Sequence, residues 1–233
     1  IHTYKEFLKS FSLARECGFE NINVDLISAI PKQTLATWEE SLQKIIALQP
    51  EHISAYSLII EDGTPFAKLY GEGTAGEKDL PSEEEEREIY KRTEVLLKQA
   101  GYYRYEISNY AKEGKACQHN LGYWERKNYL GVGLGASSLI ENQRFHNIED
   151  LQSYLEHASD LKWIRADKES LDKTAQMEEF VFLGMRKMEG ISLKGFEQYF
   201  GENLMSRYGD NILRLQEQGL VEIKDEYLIL TRE

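Results

Sequence analysis

The sequence predicts an α/β protein: the C-terminal part of a partial (β/α) TIM-like barrel, residues 1–168, followed by a small helical, winged-helix-like domain, residues 169–233. Three observations predict it. Strand, helix and strand follow one another between residues 21 and 60, which implies parallel pairing and a right-handed crossover. The first of these strands alternates, with Ile22, Val24 and Leu26 on one face and Asn21, Asn23 and Asp25 on the other. The chain closes with three helical stretches and a hairpin, the order of a winged helix.

The elements follow in order. Thr3 and Glu6 form a capping box for a helix from Tyr4 to Cys17, with Phe7, Phe11 and Ala14 on one stripe and Gly18 as its stop. Asn21 to Ile27 reads as a strand, Leu35 to Leu48 as an amphipathic helix carrying Trp38, Leu42, Ile45 and Ile46, and His52 to Ile60 as a second strand. A Gly-rich connection leads to Ser82, which caps a helix ending at Gly101. The acidic run Glu83 to Glu86 falls in its first turn, where the helix dipole favours it, and reads as a helix start rather than a metal site. Tyr103 to Tyr110 is expected as a third strand and Leu130 to Ile140 as a fourth. Met177 to Met188, Leu193 to Phe200 and Leu204 to Gln218 read as helices, and Leu220 to Leu230 as a hairpin around Lys224-Asp225-Glu226.

Polar residues on one strand face fit a barrel, whose lumen they would line, better than a flat sheet covered by helices on both sides. The alternative is an edge strand with one solvated face. Too few strands are present to close eight, and the chain starts at Ile1, running straight into a helix. It is therefore expected to be the C-terminal portion of a longer protein.

Lysine and arginine number 28 against 40 aspartates and glutamates, a net charge of −12. That balance argues against nucleic acid or an anionic membrane as the main partner. Residues 170–233 hold 8 basic and 12 acidic residues, so the winged-helix pattern points to docking rather than DNA binding. No apolar stretch is long enough to span a bilayer, although peripheral membrane association stays open. Cys17 and Cys117 suggest no disulfide framework, and a cytoplasmic location is the expectation.

Cys117-Gln118-His119-Asn120-Leu121-Gly122-Tyr123-Trp124 carries the most chemistry. Imidazole and thiolate bind iron, and large aromatics supply flat apolar walls with polar handles. A planar, partly polar ligand such as a tetrapyrrole suits that mixture. The alternative is a loop whose His and Trp merely pack. Asp25, a carboxylate read as buried within a strand, needs a partner, and a pair of ribose hydroxyls would serve. Gly131-Val132-Gly133-Leu134-Gly135 would let a backbone approach a flat ligand, yet it does not match the dinucleotide fingerprint.

Asn23-Val24-Asp25-Leu26-Ile27-Ser28-Ala29-Ile30-Pro31-Lys32-Gln33-Thr34 resembles the N-[IL]-D-L-I-x-G-[LI]-P-x-Q-T block of oxygen-independent coproporphyrinogen III oxidases and their relatives, a radical S-adenosylmethionine family. Within it, Tyr105-Glu106-Ile107-Ser108-Asn109-Tyr110-Ala111 and His119 to Trp124 look like the branch of heme chaperones called HemW. Glu61 to Phe66 and Gly131 to Ser138 also agree, and the similarity spans essentially the whole chain. The resemblance implies a barrel of the radical S-adenosylmethionine type. It implies that Asp25, Ile59 and Ser137 line the S-adenosylmethionine pocket, with Asp25 on the ribose. It implies too that His119, Asn120, Tyr123 and Trp124, the HNxxYW motif, hold heme b, leaving Cys117 a bystander.

Ala29 stands where the family usually has Gly, and Ser137 where the branch commonly has His. The family's CxxxCxxC, which holds a 4Fe-4S cluster, is not in this sequence, so no metal ligand is assigned. Alone, the chain is expected to hold neither the cluster nor S-adenosylmethionine fully, to be inactive as an enzyme, and to retain at most heme. The function implied is a heme chaperone serving respiratory apoproteins. The alternative is coproporphyrinogen III oxidase, acting on a porphyrinogen; the oxidases have Met-Asp-His in place of Ile107-Ser108-Asn109.

Overall fold

The computed structural model describes residues 2–231. It forms two compact units, one ending at Cys117 and one beginning at Gln118. The expected boundary after residue 168 lies within the second.

In the first unit, helix α1 (Tyr4–Glu16) opens on the Thr3–Glu6 capping box. Strand β1 (Asn23–Ser28), helix α2 (Leu35–Ala47) and strand β2 (His52–Ser57) form the expected crossover, with β1 and β2 parallel and Asn23 opposite His52. Helix α3 (Pro65–Tyr70) was not expected, although Thr64 caps it and Pro65 opens it. That Thr-Pro pair is a legible helix start. Helix α4 (Glu83–Gln99) begins at the Ser82–Glu85 capping box with all four glutamates in its first turn.

The third strand differs from expectation. It is two short strands, β3 (Tyr103–Arg104) and β4 (Asn109–Ala111), antiparallel to each other, and β4 runs antiparallel to β2. The reason is Glu106, whose buried Oε1 accepts from Ser108 N at 2.8 Å and Asn109 Nδ2 at 2.6 Å. A carboxylate gathering two donors from the next three residues holds a turn where alternation alone suggests extended chain. The sheet order is β1-β2-β4-β3.

The sheet's two faces separate cleanly. Val24, Ile53 and Tyr110 pack with Phe11, Leu42, Ile45, Leu97 and Tyr102 into the core beneath the helices. Trp38 Nε1 donates to Thr93 Oγ1 at 2.7 Å, joining α2 to α4 inside that layer. Strand alternation puts Asn23, Asp25, His52, Ser54 and Asn109 on the other face.

The second unit starts with helix α5 (Gln118–Trp124). Of the expected strand from Leu130, only β5 (Ser137–Ile140) is strand, because the glycines at 131, 133 and 135 make a loop before it. It joins β6 (Gln143–Asn147) and β7 (Arg165–Ser170) in an antiparallel sheet, with helices α6 (Leu151–His157) and α7 (Leu161–Ile164) between the latter two. Helix α8 (Lys173–Gly184) starts earlier than its apolar stripe suggests, because Asp172 caps it. Strand β8 (Ile191–Ser192), helices α9 (Leu193–Phe200) and α10 (Leu204–Glu217), and the hairpin β9 (Val221–Lys224) to β10 (Tyr227–Leu230) complete the winged-helix order. Asp225 and Glu226 take φ of 50° and 65°, the two-residue turn that matches strand twist. Met177, Ile191, Phe196, Phe200, Leu204, Ile212, Val221 and Leu228 form this region's own core.

Candidate functional site

The stretch from Gln118 to Trp124, for which a loop was the alternative, is a helix. Spacing of four residues therefore sets the motif's geometry. His119 and Tyr123 meet edge to face with ring centroids 4.6 Å apart, and Tyr123 meets Tyr129 in the same way at 4.6 Å. His119 is exposed and makes no hydrogen bond among the described residues, so both ring nitrogens can meet a ligand. Asn120 and Trp124 share the neighbouring stripe. The Arg186 guanidinium carbon sits 4.3 Å from the Trp124 ring centroid, and Trp124 Nε1 is buried without a hydrogen-bond partner.

The end of α5 explains its placement. Arg126 N bonds to Tyr123 O at 3.1 Å and Lys127 N to Gly122 O at 2.9 Å, the paired bonds of a Schellman cap. Arg126 occupies the left-handed position, φ 53°, where glycine is usual. Its guanidinium is buried, bonding Glu179 of α8 at 3.0 Å and Asn142 at 3.2 Å. Glu179 also pairs with Arg144. No glycine marks this helix end, so the residue types there carry no stop signal.

The glycine-rich loop follows. A Cβ on Gly131 would lie 2.3 Å from Ser137 O and 2.8 Å from Ala136 C, so this glycine serves close approach to its own chain. Gly131 N donates to Ser138 Oγ at 2.9 Å, and Asn147 Nδ2 to Gly133 O at 2.7 Å. Pinned in this way, the loop exposes Leu130, Val132 and Leu134, Val132 by 85 %. Ser137, expected to contact S-adenosylmethionine, is exposed at the start of β5; Ser138 is the buried, structural member of the pair.

In the first unit, Asp25 is exposed rather than buried, and Asn23 Nδ2 donates to its Oδ1 at 2.8 Å. The alternation that put it beside core residues also turned it away from them. Ile59 lies past the end of β2 and is 80 % exposed. His52, which no sequence motif marks, is buried on this polar face; burial holds its pKa below the ordinary histidine value, against the pull of Asp25.

A carboxylate open on a polar sheet face fits a sugar diol, and an open imidazole beside aromatic rings fits a heme. The residues present do not fit an iron–sulfur cluster. Cys17 and Cys117 are free, and no group of three or more His, Cys, Asp or Glu that could hold a metal occurs among the described residues. No described helix is long and apolar enough to cross a membrane.

The fold matches a solved structure of coproporphyrinogen III oxidase (HemN) from Escherichia coli, a radical S-adenosylmethionine enzyme, with a TM-score of 0.75 and 22 % identity, covering 100 % of this chain and 56 % of that one. An α/β fold of the radical S-adenosylmethionine kind is thereby defined. Residues 171–233 match the model of the HemN C-terminal domain. The chain is 36 % identical over 233 residues to heme chaperone HemW of Bacillus subtilis, covering 100 % of this chain and 61 % of the relative. With HemW of Lactococcus lactis it shares 36 % over 220 residues, covering 94 % of this chain and 57 % of the relative. The chain is thus similar over its whole length to heme chaperones of the HemW kind and, over residues 171–233, to the HemN C-terminal domain. It spans about three fifths of the length of these curated relatives. Full-length members of the family imply S-adenosylmethionine and a 4Fe-4S cluster.

Proposed function

We propose that this chain carries the heme-holding part of a heme chaperone, with His119 on the iron and Asn120, Tyr123 and Trp124 against the porphyrin. The observation that carries this reading is the exposed His119 ring edge to face with Tyr123, which in turn meets Tyr129, a geometry that leaves an imidazole free beside aromatic surface. Exposed Leu130, Val132 and Leu134 offer apolar area in the same unit, as a porphyrin needs. The ligand is heme b, handed on to respiratory apoproteins in the cytoplasm. Asp25 and Ile59 belong to the S-adenosylmethionine pocket, and Asp25 takes the ribose hydroxyls. Residues 1–168 contribute to the barrel and 169–233 form the winged-helix-like domain, a docking module.

Heme titration of the full-length, cluster-loaded protein tests the reading. A Soret band that shifts on binding should weaken in His119→Ala, and an unchanged spectrum sinks the iron-ligand role. Anaerobic incubation with coproporphyrinogen III and S-adenosylmethionine should give no decarboxylated product; product would rule for the oxidase.

A further inference from the structure

The polar face of the first sheet holds a hydrogen-bond chain in which every donor points toward Asp25. His52, 5 % exposed, stands opposite Asn23 in the parallel register. Its Nδ1 is 2.6 Å from Asn23 Oδ1 and its Nε2 is 2.8 Å from the Tyr105 hydroxyl. A carbonyl oxygen only accepts, so Nδ1 carries the proton, and Nε2 accepts from Tyr105. The Tyr105 oxygen in turn accepts from Cys117 N at 3.3 Å. Ser54 Oγ donates to the same Asn23 Oδ1 at 3.2 Å. With two donors on its oxygen, the Asn23 amide has one orientation, and Nδ2 is left to meet Asp25 Oδ1 at 2.8 Å.

We infer that His52 is a positioning residue for Asp25: through Asn23 it fixes the carboxylate so that the remaining oxygen faces a vicinal diol. The inference rests on the reading of Asp25 as the ribose-binding group. Apolar packing does not explain the arrangement, because His52 lies on the sheet face opposite Ile53 and the apolar core. An exposed carboxylate on a two-torsion side chain samples several rotamers, and a fixed donor selects one.

The two ring nitrogens separate positioning from stability. The amide nitrogen of asparagine, a donor, reaches the place of Nδ1, and the amide oxygen of glutamine, an acceptor, reaches the place of Nε2. His52→Asn therefore keeps the bond to Asn23 and loses Tyr105, whereas His52→Gln does the reverse. The measurement is S-adenosylmethionine affinity of the full-length, cluster-loaded protein by calorimetry, with thermal unfolding alongside. His52→Gln should weaken binding on the order of tenfold, as loss of a group supporting a ligand-binding side chain does. His52→Asn, the conservative variant, should restore most of it, although both variants unfold at lower temperature. Asn23→Ala, at an exposed position, should bind as weakly as His52→Gln. Equal losses in the two His52 variants, or full affinity in His52→Gln and Asn23→Ala, overturn the inference. Asp25→Asn distinguishes the two levels: undiminished binding there overturns the ribose reading itself, while lost binding there beside full affinity in His52→Gln overturns only the role of His52.

Discussion

Glu179→Ala should destabilise the second unit and loosen helix α5. Glu179 is 17 % exposed and bridges Arg126, 2 % exposed, and Arg144, 42 % exposed, at the side chain. Removing one partner of a buried pair leaves the other charge uncompensated, at a cost of about 3–5 kcal/mol. The Arg144 arm is half in water and adds under about 1 kcal/mol. Because Glu179 itself is partly wetted, and Asn142 still reaches Arg126, about 3 kcal/mol is the expected loss. At roughly 2–4 °C per kcal/mol for a chain of this size, the unfolding midpoint should fall by about 6–12 °C. Arg126 also sits at φ 53°, a conformation costing an L-residue about 1–2 kcal/mol, and the ion pair helps hold it there. Denaturant unfolding followed by tryptophan fluorescence measures the loss. An Arg126→Met background should reduce it to about 1 kcal/mol, since no buried charge is then stranded. A Glu179→Ala loss below about 1 kcal/mol, or the same loss in both backgrounds, would refute the reasoning.

Two further outcomes follow from local geometry. Ala29 has φ 59° and is buried, with its N–H on Gln33 Oε1 at 2.7 Å. Ala29→Gly relieves left-handed strain of about 1–2 kcal/mol but loses a buried methyl and frees the unfolded chain, so stability should change by less than about 1 kcal/mol; a loss above about 2 kcal/mol in denaturant melts contradicts this. The folded state binds a proton at His52 less readily than the unfolded chain does, because burial disfavours the charged ring more than Asp25 favours it. Stability from this group is therefore full above the unfolded pKa of about 6.5 and is lost as pH falls below it, by at most about 1.4 kcal/mol per pH unit. Melts between about pH 7.5 and 5.5 should show the loss in the wild type and a flatter profile in His52→Asn; identical profiles would contradict it.

Periodicity and caps are local, and they placed most elements correctly. Thr3, Thr34 and Ser82 each cap a helix, and the alternation at Ile22, Val24 and Leu26 separated the core face from the polar one. While the role proposed for them comes from the family resemblance, His119, Asn120, Tyr123 and Trp124 were legible as residue types. The helix that arranges them was not, because it is short and ends on Arg126 in the place where glycine ordinarily signals a stop. Expecting one strand from Tyr103 to Tyr110 failed for a similar reason, since the turn depends on the Glu106 carboxylate finding Ser108 and Asn109.

The roles expected of His119, Asn120, Tyr123 and Trp124 come from the family resemblance. By itself, the sequence determined the α/β class, the helix caps and the polar face around Asp25. Those follow from residue type and spacing, which act over one or two turns of chain. Only the tertiary structure decided that Asp25 is exposed, that Gly131 yields to its own backbone, that Arg186 covers Trp124 and that His52 stands behind Asn23. The contacts of Arg186 with Trp124 and of His52 with Asn23 join residues distant in sequence and are fixed by strand register and helix packing, which no local pattern writes.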